Sequence, residues 1–235
     1  MSTSDNLCFI PAKAMSTRLP GKNTLLLNGR ELVAYPILAA KESGIFGEDV
    51  IVSTESEKIK NIALSYGAKV PYMREERLAR DPCQIKHVVM DFFEKNPAYR
   101  VFKTICVMLP TAPFVTAEDV RKAYEIYERE KLKVLFSVTE SEHNALRAVF
   151  ARNNRMEPLF MESITKRSQE LEKTYRINGA VVISNIADFL ATGTDFNFPA
   201  GAYIMPPERS IDIDTQFDYM MAKAMCEKGD LGGRS

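Results

Sequence analysis

Short apolar runs recur along the chain and are separated by longer segments whose apolar residues have helical spacing. Apolar runs of four to six residues predict strands, and segments of nine or more residues with period 3.6 predict helices, to which 187–191 adds one short helix. The predicted strands are 7–10, 49–53, 68–71, 104–109, 134–138, 179–183 and 202–205, and the predicted helices are 31–43, 55–66, 85–94, 116–130, 187–191 and 216–227. This alternation predicts an α/β fold with a mainly parallel sheet and right-handed crossovers.

Two segments interrupt the alternation. Residues 73–84 are polar and lack clean periodicity, so they predict a loop. Residues 139–178 are mixed, and Asn153-Asn154 within them predicts a hairpin-like turn. We expect one domain over residues 1–235, with 139–178 as an insertion, or flap, that folds over the ligand-binding edge. The tail 229–235 (GDLGGRS) is expected to be loose.

Composition narrows the possible functions. The 235 residues include 31 Lys+Arg and 31 Asp+Glu, so no net charge attracts nucleic acid or an anionic membrane. Neither a signal peptide nor a membrane-spanning run is visible. The four cysteines are far apart and lack metal-binding spacing. These features lead us to expect a reduced, cytoplasmic protein without nucleic-acid or membrane partners.

The most informative stretch is the loop that follows the first predicted strand. After Pro11 it contains small residues and three cations, Lys13, Arg18 and Lys22. Small side chains let backbone N–H groups approach a ligand, and cations neutralise its charge. A strand, such a loop and a helix form a phosphate cradle, although the P-loop ending is missing. A solvated basic surface loop is the alternative interpretation.

Near the other end of the chain, Asp212 and Asp214 flank Ile213. Carboxylates at i and i+2 on an extended segment point to the same side, and two such oxygen ligands suit Mg²⁺ with phosphate oxygens and waters completing its shell. The alternative is that Asp214 simply caps the helix predicted from residue 216.

A third polar cluster combines Arg167 and Gln169 with Tyr175 and Asn178. Guanidinium and amide groups recognise carboxylates and hydroxyls, although a solvated loop explains the same residues. The only histidines, His87 and His143, lack a catalytic or metal-binding partner at useful spacing. The chain also lacks GxSxG and GxGxxG motifs, which disfavours a hydrolase or a dinucleotide dehydrogenase.

Taken together, these motifs resemble the cytidylyltransferases that activate nonulosonic acids as CMP-sugars, namely CMP-N-acetylneuraminate synthetases and their legionaminate and pseudaminate relatives. Residues 10–23 (IPAKAMSTRLPGKN) are similar to the opening signature of that family, and 210–215 (SIDIDT) to its closing motif. The segments 52–54 (VST), 109–113 (LPTAP), 167–169 (RSQ) and 175–179 (YRING) resemble further family motifs.

The resemblance implies a Rossmann-like three-layer nucleotidyltransferase fold with a dimerisation lobe that reaches into a partner, and hence a homodimer. It implies transfer of CMP from CTP to the anomeric hydroxyl of the sugar acid, with Arg18, Lys22 and Asp214 as catalytic residues. Mg²⁺, with Mn²⁺ as an alternative, is expected on Asp212 and Asp214. The expected nucleotide-binding residues are Ala12, Lys13, Ala14, Arg18, Lys22, Asn23, Arg74 and Gln84, and the expected sugar-binding residues are Leu109, Arg167, Gln169, Tyr175 and Asn178.

Three positions depart from the family pattern and leave the substrate open. Lys13 replaces the usual Arg, which keeps the charge but loses the guanidinium fork. Thr17 replaces a Lys, and Leu109 replaces a common Gln. The middle motifs favour neuraminate or legionaminate enzymes at some positions and pseudaminate enzymes at others. A Kdo-type sugar acid, or a non-catalytic nucleotide- or sugar-binding protein on the same fold, is the alternative.

Overall fold

The computed structural model describes residues 4–227, and the predicted loose tail lies outside this range. Its strands and helices follow the predicted order closely. The strands are β1 (Asn6–Pro11), β2 (Leu26–Leu27), β3 (Arg30–Glu31), β4 (Val50–Ser53), β5 (Thr104–Val107), β6 (Val134–Glu140), β7 (Val149–Arg152), β8 (Arg155–Pro158), β9 (Tyr175–Asn185) and β10 (Gly201–Ile204). The α-helices are α1 (Ala34–Ser43), α2 (Glu57–Ser65), α3 (Ile85–Lys95), α4 (Ala117–Arg129), α5 (Ile186–Thr192) and α6 (Gln216–Glu227).

Six strands form one mixed sheet in the order β10-β6-β9-β5-β1-β4. The pairs β1–β4, β1–β5 and β10–β6 are parallel, whereas β9 is antiparallel to both β5 and β6. The predicted mainly parallel sheet is therefore confirmed. Because β9 runs the other way, its first residues lie at the edge where the parallel strands end.

Helices cover both faces of this sheet and form a three-layer structure, as predicted. Side chains alternate along β1, so that Cys8 and Ile10 face one core while Leu7 and Phe9 face the other. The first core is closed by apolar residues of α1, α2 and α4, and the second by residues of α3 and α5. Every helix within residues 4–227 is too short or too polar to cross a membrane.

Local signals explain where several helices begin and end. Thr116 caps α4, and its side chain and that of Asp119 form the predicted capping box. Gly44 ends α1 in the left-handed conformation, which glycine adopts without strain. The predicted start of α1 at Glu31 is wrong, because Arg30–Glu31 pairs with Leu26–Leu27 as a short hairpin first.

The predicted strand 68–71 is reduced to a single parallel bridge between Ile51 and Lys69. The polar segment 73–84 is a loop, as predicted, apart from one short 3-10 helix at Glu76–Leu78. All four cysteines are free, and burial raises the pKa of Cys8 and Cys106 well above the ordinary value.

Both ends of the predicted insertion belong to the main sheet. Strand β6 continues to Glu140, and β9 already begins at Tyr175. Between them, residues 141–174 contain the hairpin β7–β8, and Asn153 and Asn154 both have positive φ at its turn. We call residues 141–174 the flap.

Candidate nucleotide and metal site at the strand ends

The opening loop is fastened to the end of β4 by its own backbone. The N–H of Ala12 donates to the carbonyl of Ser53 at 2.9 Å, and the N–H of Ala14 donates to Glu55 Oε1 at 2.6 Å. The side-chain amide of Asn23 donates to the carbonyl of Lys13 at 2.8 Å. The N–H groups of Ala12 and Ala14 are thus used within the protein, and the nucleotide-binding role of these two residues stays a prediction.

The next part of the loop offers its backbone instead. Among the described residues, the N–H groups of Ser16, Thr17 and Arg18 have no protein acceptor. Gly21 follows with a φ of 66°, in the left-handed region that favours glycine. This part of the loop retains the donors of a phosphate cradle.

The opening loop and the closing motif meet in the folded chain. Lys22 Nζ lies 2.9 Å from Asp214 Oδ1, and Arg18 Nη2 lies 2.6 Å from Asp214 Oδ2. The lysine side chain is 12% exposed, whereas the arginine is 66% exposed. Lys13 instead pairs with Asp81 at 3.0 Å, across the mouth of the site. Two of the three predicted cations therefore converge on one carboxylate.

Asp214 does not cap the last helix. The backbone N–H groups of Asp214 and Thr215 both donate to the Asp218 carboxylate, at 3.1 and 2.8 Å. The Thr215 hydroxyl accepts from the N–H of Asp218 at 3.3 Å. Thr215 and Asp218 therefore satisfy the helix N-terminus, and the Asp214 side chain remains available for the two cations.

The two carboxylates of the closing motif have opposite electrostatic surroundings. Burial raises the pKa of Asp212 above its ordinary value, and its Oδ1 atom is buried without a hydrogen-bond partner among the described residues. Burial acts in the same direction on Asp214, but the hydrogen bond and charge of Lys22, helped by Arg18, outweigh it and lower the pKa of Asp214.

The closing motif is held by packing and by hydrogen bonds. Ile213 is fully buried in a cluster with Leu19 and Phe114, and its N–H donates to the carbonyl of Thr111 at 2.8 Å. This anchors the residue between the two carboxylates. An acidic pair on an anchored segment fits a hard cation, because Asp212 Oδ1 is buried and has no hydrogen-bond partner among the described residues.

The acidic pair is small for a metal site. Within residues 4–227 no group of three or more His, Cys, Asp or Glu side chains could hold an ion. A cation on Asp212 and Asp214 would need oxygen ligands from a substrate or water, which is how Mg²⁺ commonly binds with phosphates.

A cavity of about 190 Å³ opens beside the loop at the strand ends. Its wall is largely apolar, but three of its residues, Ser16, Asn23 and Arg74, carry buried polar atoms that have no hydrogen-bond partner among the described residues. Leu109 also lines the cavity. Gln84 is exposed at the start of α3 and lies between two lining residues without lining the cavity itself. The cavity therefore offers a flat apolar ligand a few polar contacts.

The position of Leu109 depends on Gly179. Its N–H donates to the carbonyl of Gly179 at 3.3 Å, and a Cβ at that glycine would lie 2.9 Å from Leu109 Cδ1. Gly179 also has a φ of 70°. Only glycine allows both the close approach of Leu109 and the positive φ without a local shift.

The predicted sugar-binding residues are not all brought together. Arg167 and Gln169 are exposed on the flap, and Gln169 lines a separate cavity of about 640 Å³ at the base of the flap. Tyr175 is 42% exposed at the start of β9. Within one chain, the flap residues do not line the strand-end cavity.

Asn178 lies in a buried hydrogen-bond network. It is 2% exposed, and its amide oxygen accepts from the Ser137 hydroxyl at 2.6 Å. Its amide nitrogen donates to Ser210 Oγ at 2.9 Å. The amide is thus satisfied within the protein, where it fixes Ser210, the first residue of the closing motif. Its predicted contact with the sugar stays a prediction.

A second buried network also supports the closing motif. Arg209 donates to both oxygens of the fully buried Asp119 at 3.0 and 2.9 Å, and the Tyr203 hydroxyl donates to the same carboxylate at 2.8 Å. Burial would raise the pKa of Asp119, but the Arg209 hydrogen bonds and those of Thr116 lower it. The segment that carries both aspartates is thus fixed from the N-terminus of α4.

One buried carboxylate in the site was missed by the sequence analysis. Glu55 accepts from Ala14 N–H and also from Arg74 Nη2, the latter at 2.6 Å, and the two side chains are only 9% and 2% exposed. The available signal was its position directly after the VST segment that resembles a family motif. His87 and His143 are exposed, in agreement with a solvated role.

Comparison with known proteins places these features in a family. A family model described as cytidylyltransferase matches residues 7–188. Pseudaminic acid cytidylyltransferase of Campylobacter jejuni subsp. jejuni is 34% identical over 222 residues, which cover 94% of this chain and 95% of that protein. CMP-N,N'-diacetyllegionaminic acid synthase of Legionella pneumophila subsp. pneumophila is 33% identical over 224 residues, with 94% and 96% covered.

Similarity extends to a longer protein and to solved structures. N-acylneuraminate cytidylyltransferase of Streptococcus agalactiae is 32% identical over 216 residues, which cover 91% of this chain and 51% of that protein. The structure of CMP:2-keto-3-deoxy-manno-octonic acid synthetase complexed with CTP matches with a TM-score of 0.70, covering 96% of this chain and 100% of the other. At 16% identity, this last match concerns the fold alone.

Proposed function

The chain belongs to the cytidylyltransferase family, and we propose that it transfers CMP from CTP to the anomeric hydroxyl of a nonulosonic acid of the sialic acid type. The observation that carries the proposal is the meeting of Lys22 and Arg18 with Asp214 beside a cavity at the strand ends. A nucleoside triphosphate needs both a cationic loop and an acidic site for its metal ion. The relatives named above act, by their names, on pseudaminic, legionaminic and N-acylneuraminic acids.

The reaction asks for positioning and charge neutralisation more than for covalent chemistry by the protein. The sugar hydroxyl attacks the α-phosphorus in line and loses its proton to solvent, while the bond from the α-phosphorus to the bridging oxygen breaks and pyrophosphate leaves. Lys22 and Arg18 bind the outer phosphates and stabilise the charge that develops on the leaving group. The free N–H groups of residues 16–18 add donors to the same phosphates.

Asp212 and Asp214 would hold Mg²⁺, or Mn²⁺ in its place, because an unpartnered buried carboxylate oxygen suits a hard cation. When bound, such an ion supplies positive charge that polarises the phosphates. The carboxylates would then bind the ion, and Lys22 and Arg18 would bind the phosphate oxygens.

The strand-end cavity suits the nucleoside half of CTP. Its apolar wall can pack against a flat base, and the unpartnered polar atoms of Asn23 and Arg74 can bind base or ribose groups. Leu109 lacks the amide that Gln would offer, so sugar or base recognition depends on other residues. The roles of Gln84, Tyr175, Arg167 and Gln169 stay predictions.

We also propose a homodimer in which the flap of one copy completes the site of the other. Supporting this, the flap exposes large apolar side chains, among them Phe150, Met156 and Met161, which are 51%, 67% and 69% exposed. Extensive apolar exposure is typical of an interface. A second copy could also supply Arg167 and Gln169, which lie apart from the cavity of their own chain. Sedimentation equilibrium tests this: a single-chain mass at micromolar concentration would contradict it.

The decisive experiment measures pyrophosphate release with CTP, Mg²⁺ and a panel of N-acetylneuraminate, legionaminate, pseudaminate and Kdo. Turnover with one of the first three supports the proposal and identifies the substrate. Release with Kdo alone favours a Kdo-type cytidylyltransferase. CTP binding without turnover on any sugar favours a non-catalytic nucleotide-binding protein, an alternative suggested by the departures from the family pattern at Lys13, Thr17 and Leu109.

A further inference from the structure

Glu55 is a carboxylate in a site that is proposed to bind a polyanion. Its side chain lies between the opening loop and the polar loop 73–84 and is only 9% exposed, so solvent screens its charge little. A negative charge there would repel phosphate, so we expect it to serve another purpose. Its two oxygens each accept one hydrogen bond, from Ala14 N–H and from Arg74 Nη2, both at 2.6 Å.

These two donors belong to two different loops, each of which contributes residues to the cavity wall. Ala14 is in the opening loop, between the strand end and the cations, whereas Arg74 is in the polar loop. The polar loop has one further backbone tie at this point, from Arg74 N–H to the carbonyl of Thr54 at 2.9 Å. Glu55 is therefore the side chain that joins both loops to the end of β4.

The ion pair also changes what Arg74 can do. Its charge is compensated by Glu55 in a buried ion pair, in which the Arg74 side chain is only 2% exposed. Arg18 also has a carboxylate partner at 2.6 Å, but its side chain is 66% exposed. Its Nε is buried without a hydrogen-bond partner among the described residues, and Arg74 lines the cavity. A compensated guanidinium with a free donor is suited to a neutral ligand group, and less suited to a phosphate.

We propose that Glu55 is a positioning residue for the nucleoside half of the nucleotide, acting through Ala14 and Arg74. The inference rests on the proposed function, because it takes the strand-end cavity as the nucleoside site. Loss of Glu55 should weaken CMP and CTP binding by the same factor, since both nucleotides carry the nucleoside. Loss of Lys22, by contrast, should weaken CTP more than CMP.

The test measures CMP and CTP binding by calorimetry on the full chain, without sugar acid. Glu55→Ala removes both hydrogen bonds and should weaken both nucleotides by about tenfold to hundredfold, the size expected for displaced binding groups. Glu55→Gln keeps one acceptor and should fall between the wild type and Glu55→Ala. The matched control is Glu57→Gln on the exposed start of α2, which should bind both nucleotides as the wild type does.

The outcomes separate a positioning role from a merely structural one. Thermal unfolding shows which variants are folded, and if Glu55→Ala is not, Glu55→Gln alone decides. Folded Glu55 variants that bind both nucleotides normally would overturn the inference, and so would a loss confined to CTP. A wild-type chain that binds neither nucleotide would remove the proposed function as well, whereas normal wild-type binding with unaffected variants removes only the role of Glu55.

Discussion

The Asp214 carboxylate should weaken CTP binding when no metal ion is present, even though we expect the reaction to need this carboxylate. The carboxylate occupies Lys22 and Arg18, the same cations that the outer phosphates of CTP require. Asp214→Asn keeps the size of the side chain but removes its charge. We expect this variant to bind CTP more tightly than the wild type in EDTA, because the phosphates no longer compete with a carboxylate.

The structure sets the size of this effect. Lys22 is 12% exposed and 2.9 Å from Asp214, so its charge-assisted bond should contribute about 1.5–3 kcal/mol. Arg18 is 66% exposed, and an exposed pair contributes about 0–1 kcal/mol. Asparagine retains part of the lysine bond, so a gain of about 1.4–2.8 kcal/mol is reasonable, which is about tenfold to hundredfold in affinity.

Calorimetric titration with CTP in EDTA measures the gain directly. Asp49→Asn is the charge-matched control, since Asp49 pairs with Lys69 at 2.8 Å just before β4, at the opposite edge of the sheet. In saturating Mg²⁺ the order should reverse, because the variant lacks one metal-binding carboxylate, and turnover should be lost. Equal CTP affinity of variant and wild type in EDTA would refute the competition argument.

Three further predictions concern single side chains. Lys22→Ala should weaken CTP about tenfold more than CMP, because its charge serves the outer phosphates, and equal losses by calorimetry would contradict that role. Asp212→Asn should raise the free energy of unfolding of the free protein at pH 7 by about 0.5–2 kcal/mol, since it removes a buried charge, and thermal unfolding measures this gain. Because burial raises the pKa of Asp212, that gain should shrink as pH falls and the wild-type group becomes protonated. Asp119→Asn should lower the free energy of unfolding by about 3 kcal/mol, because it breaks the buried ion pair with Arg209, and thermal unfolding measures this loss. The pKa of Asp119 is lowered, so its contribution should persist above the ordinary Asp pKa and be lost as pH falls through the folded value.

The order of elements could be predicted because each rests on a local signal. Helical spacing, the Thr116–Asp119 capping box and the glycine after α1 all act within a few residues. The edge that carries the site followed from a general rule, since ligands bind at the carboxyl ends of parallel strands. Both the opening loop and the 109–113 segment lie there.

Features that depend on distant partners could not be predicted. The antiparallel direction of β9 is set by its pairing with β5 and β6, and nothing within residues 175–185 encodes it. An amide that binds a sugar and an amide that binds Ser137 and Ser210 look alike in a sequence, so the internal hydrogen bonds of Asn178 could not be predicted. Glu55 was missed because its partners lie 41 and 19 residues away.

The closing motif shows how a fold prepares two like residues for different roles. Asp212 and Asp214 are separated only by the buried Ile213, yet the pKa of one is raised and that of the other lowered. Asp214 has ion pairs with two cations, whereas Asp212 Oδ1 is buried and has no hydrogen-bond partner within residues 4–227. The free protein therefore stabilises the charge of Asp214 and leaves that of Asp212 costly. A bound cation would relieve that cost at Asp212, while CTP would take the cations from Asp214. Each ligand therefore removes an obstacle to the other, and metal and nucleotide binding should be positively coupled through these two carboxylates.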